Sequence, residues 1–294
     1  MNKFQAAYQD TTLYEDTLPP HLFEGREDVT IIAERLAAIL GQDAIHSGGL
    51  NIVEFGVGTG RVSEALMPYA KDFLAVDNSP EMLDEFGRRF PSANILCLDM
   101  VEAVDTLLVD GRKGTFDLIG AFWSLSYPIG NFFETLTTDG IEPVDEPADA
   151  RLQAENFIRK IVQLLKPGGH LMVLFFDSDS SEQRVVSSAW ERVAPHPEGG
   201  RDYSRKLLTS VLMEEEWAGH GALTVSRLPG KATCPDAEAA GRWFQHLHFK
   251  DLPALLDDRE VSSMVSDFVD EHTQSDGTVH LPCGVYLMDF SSKK

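Results

Sequence analysis

Between residues 51 and 176 the chain repeats one pattern: a short apolar run, then a turn, then a segment with helical periodicity. Such runs fit strands covered on both faces by helices, so the pattern selects an α/β fold built on a largely parallel sheet. The expected strands are 51–55, 73–76, 95–98, 116–122 and 170–176. After the second of them, Ser79 supplies a helix cap, Pro80 takes the first helical position, and an apolar stripe runs to Phe90 before Pro91 stops it. Residues 29–40 are helical in period and end at Gly41. A helix over 156–165 is turned back toward a strand by Lys166-Pro167-Gly168-Gly169.

Further on, 181–193, 237–247 and 261–271 read as helices and 222–228 as a strand. Residues 278–281 and 285–290 read as a terminal antiparallel pair turned at Pro282-Cys283-Gly284. The stretches 137–149 and 195–201 read as long loops. A chain of 294 residues with 43% apolar side chains can fill one α/β domain with additions.

Charge narrows the partners. With 47 acidic against 25 basic residues the formal net charge is -22, a field that repels phosphate backbones and argues against DNA or RNA. No apolar run reaches the roughly 18 residues of a membrane helix, and no basic and apolar leader opens the sequence, so we expect a cytoplasmic protein with no membrane partner. Cys97, Cys234 and Cys283 have no paired spacing, which points to small buried hydrophobes rather than a disulfide or a cysteine metal site.

The sharpest local signal is Val53-Glu54-Phe55-Gly56-Val57-Gly58-Thr59-Gly60-Arg61, after one strand and before a helix. Glycines there permit a tight turn and let backbone approach a ligand. The register is not that of a dinucleotide fingerprint, because Arg61 stands where the third glycine would fall. Glu54 would disfavour a nearby pyrophosphate and suits a cofactor with a cationic end. Asp77 closes the second strand, where a carboxylate can accept hydrogen bonds from a ribose diol; a helix-capping or solvated acid is the competing reading.

Taken as an ordered set, V-E-F-G-V-G-T-G-R, L-A-V-D-N-S-P-E-M-L, C-L-D-M, F-D-L-I-G-A-F and L-L-K-P-G-G-H-L-M-V resemble the class I S-adenosylmethionine-dependent methyltransferases over residues 51–176. The resemblance implies a Rossmann-like sheet of seven strands, mostly parallel with one antiparallel, and S-adenosylmethionine across the carboxyl ends of the first strands. It also implies roles. Glu54 and the turn Gly56, Gly58 and Gly60 would face the amino-acid end of the cofactor, and Asp77 would take the ribose with Asn78 and Met82 around the sugar and adenine. Asp99 and Met100 would meet the adenine, and the Phe122 carbonyl would receive the cofactor amino group. Glu54 can instead orient the glycine loop, and Asp99 can be a cap. On the same basis the chain forms a single methyltransferase domain over 1–294, with 1–45 as an N-terminal helical cap and parts of 127–150 and 178–280 as additions on the substrate side.

The acceptor side is less specified. Trp123, Ser124 and Tyr127 follow the fourth strand and are the candidates there, the rings as an apolar wall or a cation-binding face and the serine to orient a polar group; ordinary packing competes for both rings. The run F-W-S-L-S-Y is also similar to small-molecule N-methyltransferases. Glu134, Asp139, Glu142, Asp145, Glu146 and Asp149 form either an amine-attracting loop or a solvated face. His170 reads as structural, while His196, His220, His246, His248, His272 and His280 fall where a pocket can use them without the spacing of a metal site. Metal-dependent catechol methyltransferases place an acid after the fourth strand; here that position reads Phe122-Trp123-Ser124, and no metal is expected. The resulting expectation is methyl transfer to an amine or hydroxyl of a soluble small molecule, a cationic amine among the candidates, by a monomer or homodimer. The alternatives are a peptide or protein methyltransferase, or a noncatalytic cofactor-binding protein.

Overall fold

The computed structural model describes residues 19–41, 49–136, 141–193, 196–197, 200–249 and 252–294. Residues 1–18 and 42–45 of the expected N-terminal cap, and Asp139 of the acidic run, lie outside them.

The sheet has eight strands, not seven. In chain order these are β1 (His21–Phe23), β2 (Leu50–Phe55), β3 (Ala70–Asp77), β4 (Asn94–Cys97) and β5 (Phe116–Phe122), then β8 (Leu165–Phe176), β9 (Gly221–Cys234) and β10 (Val279–Ser292). The numbers between belong to a separate two-stranded ribbon, β6 (Glu134–Leu136) and β7 (Ile141–Pro143). The order across the sheet is β1-β9-β10-β8-β5-β2-β3-β4. Pairing is parallel from β8 through β5, β2 and β3 to β4. β10 runs antiparallel to both β8 and β9, and β1 antiparallel to β9. Two strands therefore oppose the rest, β10 inside the sheet and the short β1 added at its edge. The extra strand was hidden because three residues carry too little pattern to register as a run.

Helices α1 (Asp28–Leu40), α2 (Ser63–Leu66), α3 (Pro80–Arg89) and α4 (Met100–Val109) alternate with the first strands. They are followed by α5 (Ser126–Gly130), α6 (Pro147–Leu164), α7 (Ser181–Trp190), α8 (Tyr203–Trp217), α9 (Ala237–Trp243), α10 (Pro253–Leu256) and α11 (Arg259–Glu271). The strand period of two divides the core. Ile52, Leu118, Met172 and Leu174 face one layer with Ile32 and Leu36 of α1, and Val53, Ile119, Leu171 and Val173 face the other with Val104 of α4 and Phe157 of α6. Each fully buried side chain of this size contributes about 1.5–3 kcal/mol relative to exposure. The N-cap of α3 is as the sequence indicates, with Ser79 Oγ accepting from Met82 N at 3.2 Å.

Four local expectations need correction. The loop expected over 137–149 contains β7 at Ile141–Pro143 and the first turn of α6 from Pro147. The C-terminal hairpin is one continuous strand, β10, along the whole of β9. Pro282 is tolerated because β8 pairs only with 285–291, so at Pro282 the strand has a neighbour on one side. Residues 237–247 are an α-helix that passes into a π-turn over Phe244–His248. Cys97 is exposed, because β4 is the outer strand of the sheet; Cys234 and Cys283 are buried. No helix among the described residues is long and apolar enough to cross a membrane.

Candidate active site

The glycine segment leaves β2 at its carboxyl end, where Gly56 N and Val57 N donate to the Val76 carbonyl of β3 at 2.7 and 3.2 Å. Gly56 and Gly58 have φ of 72° and 54°, a region that side chains avoid. A Cβ on Gly56 would stand 2.3 Å from Ser124 Cβ, so this glycine lets the turn press against the segment after β5. A Cβ on Gly58 would meet no protein atom within 4 Å, and Gly58 lines a cavity of about 200 Å³. The first turn thus has a buried side held by packing and an open side free to take a ligand.

That cavity gathers all ten residues expected at the cofactor except Gly60. Glu54, Gly56, Gly58, Asp77, Asn78 and Met82 lie on it, as do Asp99, Met100 and Phe122. Gly60 packs away from it, where a Cβ would strike Phe86 of α3 and Phe90 just after that helix. Asp77 accepts from Gly58 N through Oδ2 and from Ser79 N through Oδ1, both at 2.9 Å. Each carboxylate oxygen can accept a second hydrogen bond, so the acid braces the loop and keeps capacity for a diol. Burial pushes its pKa up, while the amides of Ser79, Gly58 and Asn78 oppose the shift. Glu54 is 2% exposed and accepts from Ser63 Oγ at 2.6 Å. Burial and the neighbouring Asp77 raise it to about 8, against Ser63 and Arg61. An apolar-lined cavity with two acids, one of them poised to ionise beside a cation, fits S-adenosylmethionine better than a nucleotide phosphate. Asp99 caps α4 by accepting from Val101 N at 2.9 Å, so the capping role is present whatever else it does.

A second cavity, about 500 Å³, adjoins the first and shares Arg61, Trp123, Tyr127 and Asn131 with it. Its walls include Pro19–His21 and Phe23, residues of α5, Glu134 at the start of β6, Glu182 and Gln183 of α7, His196, Arg201, Trp243, His248 and Cys283–Gly284. Trp123 stands at the junction with φ of 62°, rare for a bulky residue and a strain of the kind that collects at functional sites. Its indole N–H donates to Asp28 Oδ2 at 2.8 Å, and Arg61 grips the same carboxylate with two bonds of 2.7 Å. Burial alone would raise the Asp28 carboxyl, but Arg61 and Trp123 hold it below its usual range. This clamp ties α1, the glycine segment and the segment after β5 into one partition.

Deeper in the larger cavity, buried Glu182 accepts from Trp243 Nε1 at 2.6 Å and pairs with His248 Nε2 at 3.0 Å. Burial works against its ionisation, yet His248, His21 and Trp243 hold it down at about 2. The π-turn after α9 is what brings His248 to this carboxylate, and such turns concentrate at functional sites.

Of the acceptor candidates, Trp123 and Tyr127 border both cavities. Ser124 borders only the smaller, and its hydroxyl donates to the Phe55 carbonyl at 2.7 Å. Of the acidic run, Glu134 reaches the larger cavity, whereas Glu142, Asp145, Glu146 and Asp149 are exposed, as a solvated face requires. Among the histidines, His196 and His248 line the cavity; His246 and His220 are exposed, and His170 pairs with Asp289 at 2.8 Å. Sequence reasoning missed Asp28, His21, Glu182 and Arg201. Only tertiary packing joins them, and no spacing marks them. Among the described residues no group of three His, Cys, Asp or Glu side chains can hold a metal ion.

The fold places one cleft at the carboxyl ends of the parallel strands and a larger chamber adjoining it. Residues 52–136 match the family described as the methyltransferase domain. A segment of 47 residues is 38% identical to an uncharacterised methyltransferase of Schizosaccharomyces pombe, and spans 16% of this chain and 16% of that protein's length. A Bacillus halodurans C-125 protein assigned provisionally as a methyltransferase has a similar fold, with a TM-score of 0.53 at 13% identity over 91% of this chain and 99% of that one. So does a structure from work on the conversion of a disulfide into a thioacetal in echinomycin biosynthesis, with a TM-score of 0.51 at 12% identity over 99% and 91%. The likeness to the methyltransferase domain thus covers residues 52–136, and the likeness to the solved structures is one of fold.

Proposed function

We propose that the protein transfers a methyl group from S-adenosylmethionine to an amine or hydroxyl of a small molecule. The carrying observation is the junction at Trp123 and Tyr127, where a cleft suited to the cofactor opens onto a larger, aromatic-rich chamber. Walls contributed from many separate parts of the chain, between residues 19 and 284, suit a compact molecule held inside rather than a peptide lying across the surface.

In this reading Asp77 accepts the ribose hydroxyls, Glu54 receives the ammonium of the amino-acid end, and Met82 and Met100 pack the adenine. The bound cofactor supplies a methyl group already activated by a sulfonium. What remains for the chain is to align an acceptor lone pair, which Trp123 and Tyr127 do by walling the junction. A cationic amine must lose a proton before attack, and Glu134, whose carboxyl is pushed up by burial, is a chamber group suited to take it.

The test is turnover with labelled S-adenosylmethionine against primary and secondary amines, phenols, sugars and short peptides, beside calorimetry with S-adenosylhomocysteine. Label should move to a small acceptor, and Asp77→Ala should weaken cofactor binding about tenfold or more while the far-ultraviolet circular dichroism stays unchanged. Tight binding without transfer to any class would leave a cofactor-binding protein rather than an enzyme.

A further inference from the structure

Arg201 lines the larger cavity, and its guanidinium stands apart from the other arginine there. Arg61 is matched by a carboxylate on two bonds, whereas Arg201 has a neutral hydrogen-bond partner, Gln183 Oε1 at 2.7 Å from Nη1. Its flat faces lie over two rings, 5.0 Å from the centroid of Phe176 and 6.0 Å from that of Trp190. Among the described residues no carboxylate comes within 4.0 Å of it, in a chain with 47 acids to draw on. Burial pushes the guanidinium down to about 10, with Tyr127, Glu182, Tyr203 and Glu134 opposing, so it remains a cation at neutral pH. A half-buried guanidinium with one neutral hydrogen-bond partner keeps donors open to an anion in the cavity. On the same wall, Nε2 of His196 is a buried polar atom with no hydrogen-bond partner among the described residues. A guanidinium with no carboxylate partner and an imidazole nitrogen with no hydrogen-bond partner among the described residues thus line one chamber.

We propose that the methyl acceptor carries a carboxylate, and that Arg201 receives it between Phe176, Trp190 and Gln183. This rests on reading the larger cavity as the acceptor chamber. The planar fork of a guanidinium matches a carboxylate in two-bond geometry. A single negative charge fits better than a phosphate, because Glu27, Glu134 and Glu182 line the same chamber and would repel a second charge. The aromatic wall supplies a surface for an apolar or aromatic body attached to the acid. The acceptor class is therefore an aromatic or apolar acid that also bears the amine or hydroxyl to be methylated.

The experiment is calorimetry on protein saturated with S-adenosylhomocysteine, titrated with phenylacetate and with its neutral counterpart phenylacetamide. Labelled transfer to aminobenzoates and to the matching aminobenzamides runs in parallel. Wild type should favour the acid about tenfold or more. Arg201→Gln should erase that preference and Arg201→Lys should retain part of it. Both should bind S-adenosylhomocysteine as wild type does, since Arg201 does not line the smaller cavity. Equal binding of acid and amide by wild type, binding of neither, or a preference that survives Arg201→Gln overturns the proposal. If Arg201→Gln does not fold, Arg201→Lys decides, and unchanged phenylacetate affinity in that variant overturns it. Wild type that fails to bind S-adenosylhomocysteine counts instead against the cofactor cleft.

Discussion

The two cavities that meet at Trp123 are made from different kinds of sequence. The smaller takes its wall from four short stretches, 54–62, 76–82, 98–100 and 122–131, each at the carboxyl end of a strand. The larger draws on residues from 19 to 284. A parallel sheet places the carboxyl ends of adjacent strands side by side, so one local motif per strand is enough to build a cleft. The chamber has no such rule and depends on where helices and the added edge strand happen to pack. Cofactor binding should accordingly break under local backbone changes, while acceptor use should break under changes remote in sequence.

Gly56→Ala applies the harshest local change. The new Cβ would meet Ser124 Cβ at 2.3 Å from a backbone at φ of 72°. We expect a loss of about 2–4 kcal/mol in denaturant melts and at least about a tenfold drop in affinity for S-adenosylhomocysteine. An alanine variant that melts and binds like wild type would remove the close approach of loop and Ser124 from the account. Trp123→Phe is the matching change at the partition. It keeps an aromatic ring and deletes the N–H that reaches Asp28, which retains Arg61. Stability should fall by about 1 kcal/mol. Cofactor affinity should change little, and transfer should slow by up to about tenfold through a misplaced acceptor. Equal losses in binding and turnover would show the two cavities to be one functional unit.

What could be read in advance follows the same divide. The strands over 51–55, 73–76 and 116–122 were legible because apolar runs bounded by turn residues have few other uses, and Asp77 because its place at a strand end gives an acid a role. β1 was not legible, since His21–Phe23 acquires its strand character from pairing with Ala232, Lys231 and Gly230. The clamp of Asp28, Arg61 and Trp123 joins residues 33 and 95 positions apart, and Glu182 meets His248 across 66. No periodicity encodes such meetings. The unbroken β10 was missed because Pro282 reads as a turn until its one-sided pairing with β9 is seen.

The mildest change, Glu54→Gln, asks whether the cleft's buried acid is a cofactor ligand or a brace for the loop. Burial and Asp77 lift the folded-state pKa from 4.5 to about 8. The folded protein then holds a proton that the unfolded chain releases once pH passes the ordinary carboxyl range. Between those two values stability must fall as pH rises, and the contribution is fully present only below the unfolded pKa. Glu54→Gln should flatten that decline without erasing it, because Asp77 is raised in the same direction. Ligand binding gives the sharper reading. If Glu54 receives the ammonium of the cofactor, it must ionise to do so, and calorimetry at pH 7 in two buffers of different ionisation enthalpy will show proton release in wild type and less of it in Glu54→Gln. If Glu54 only braces the loop through Ser63, the stability slope will still flatten, but proton release on binding will be the same in both proteins.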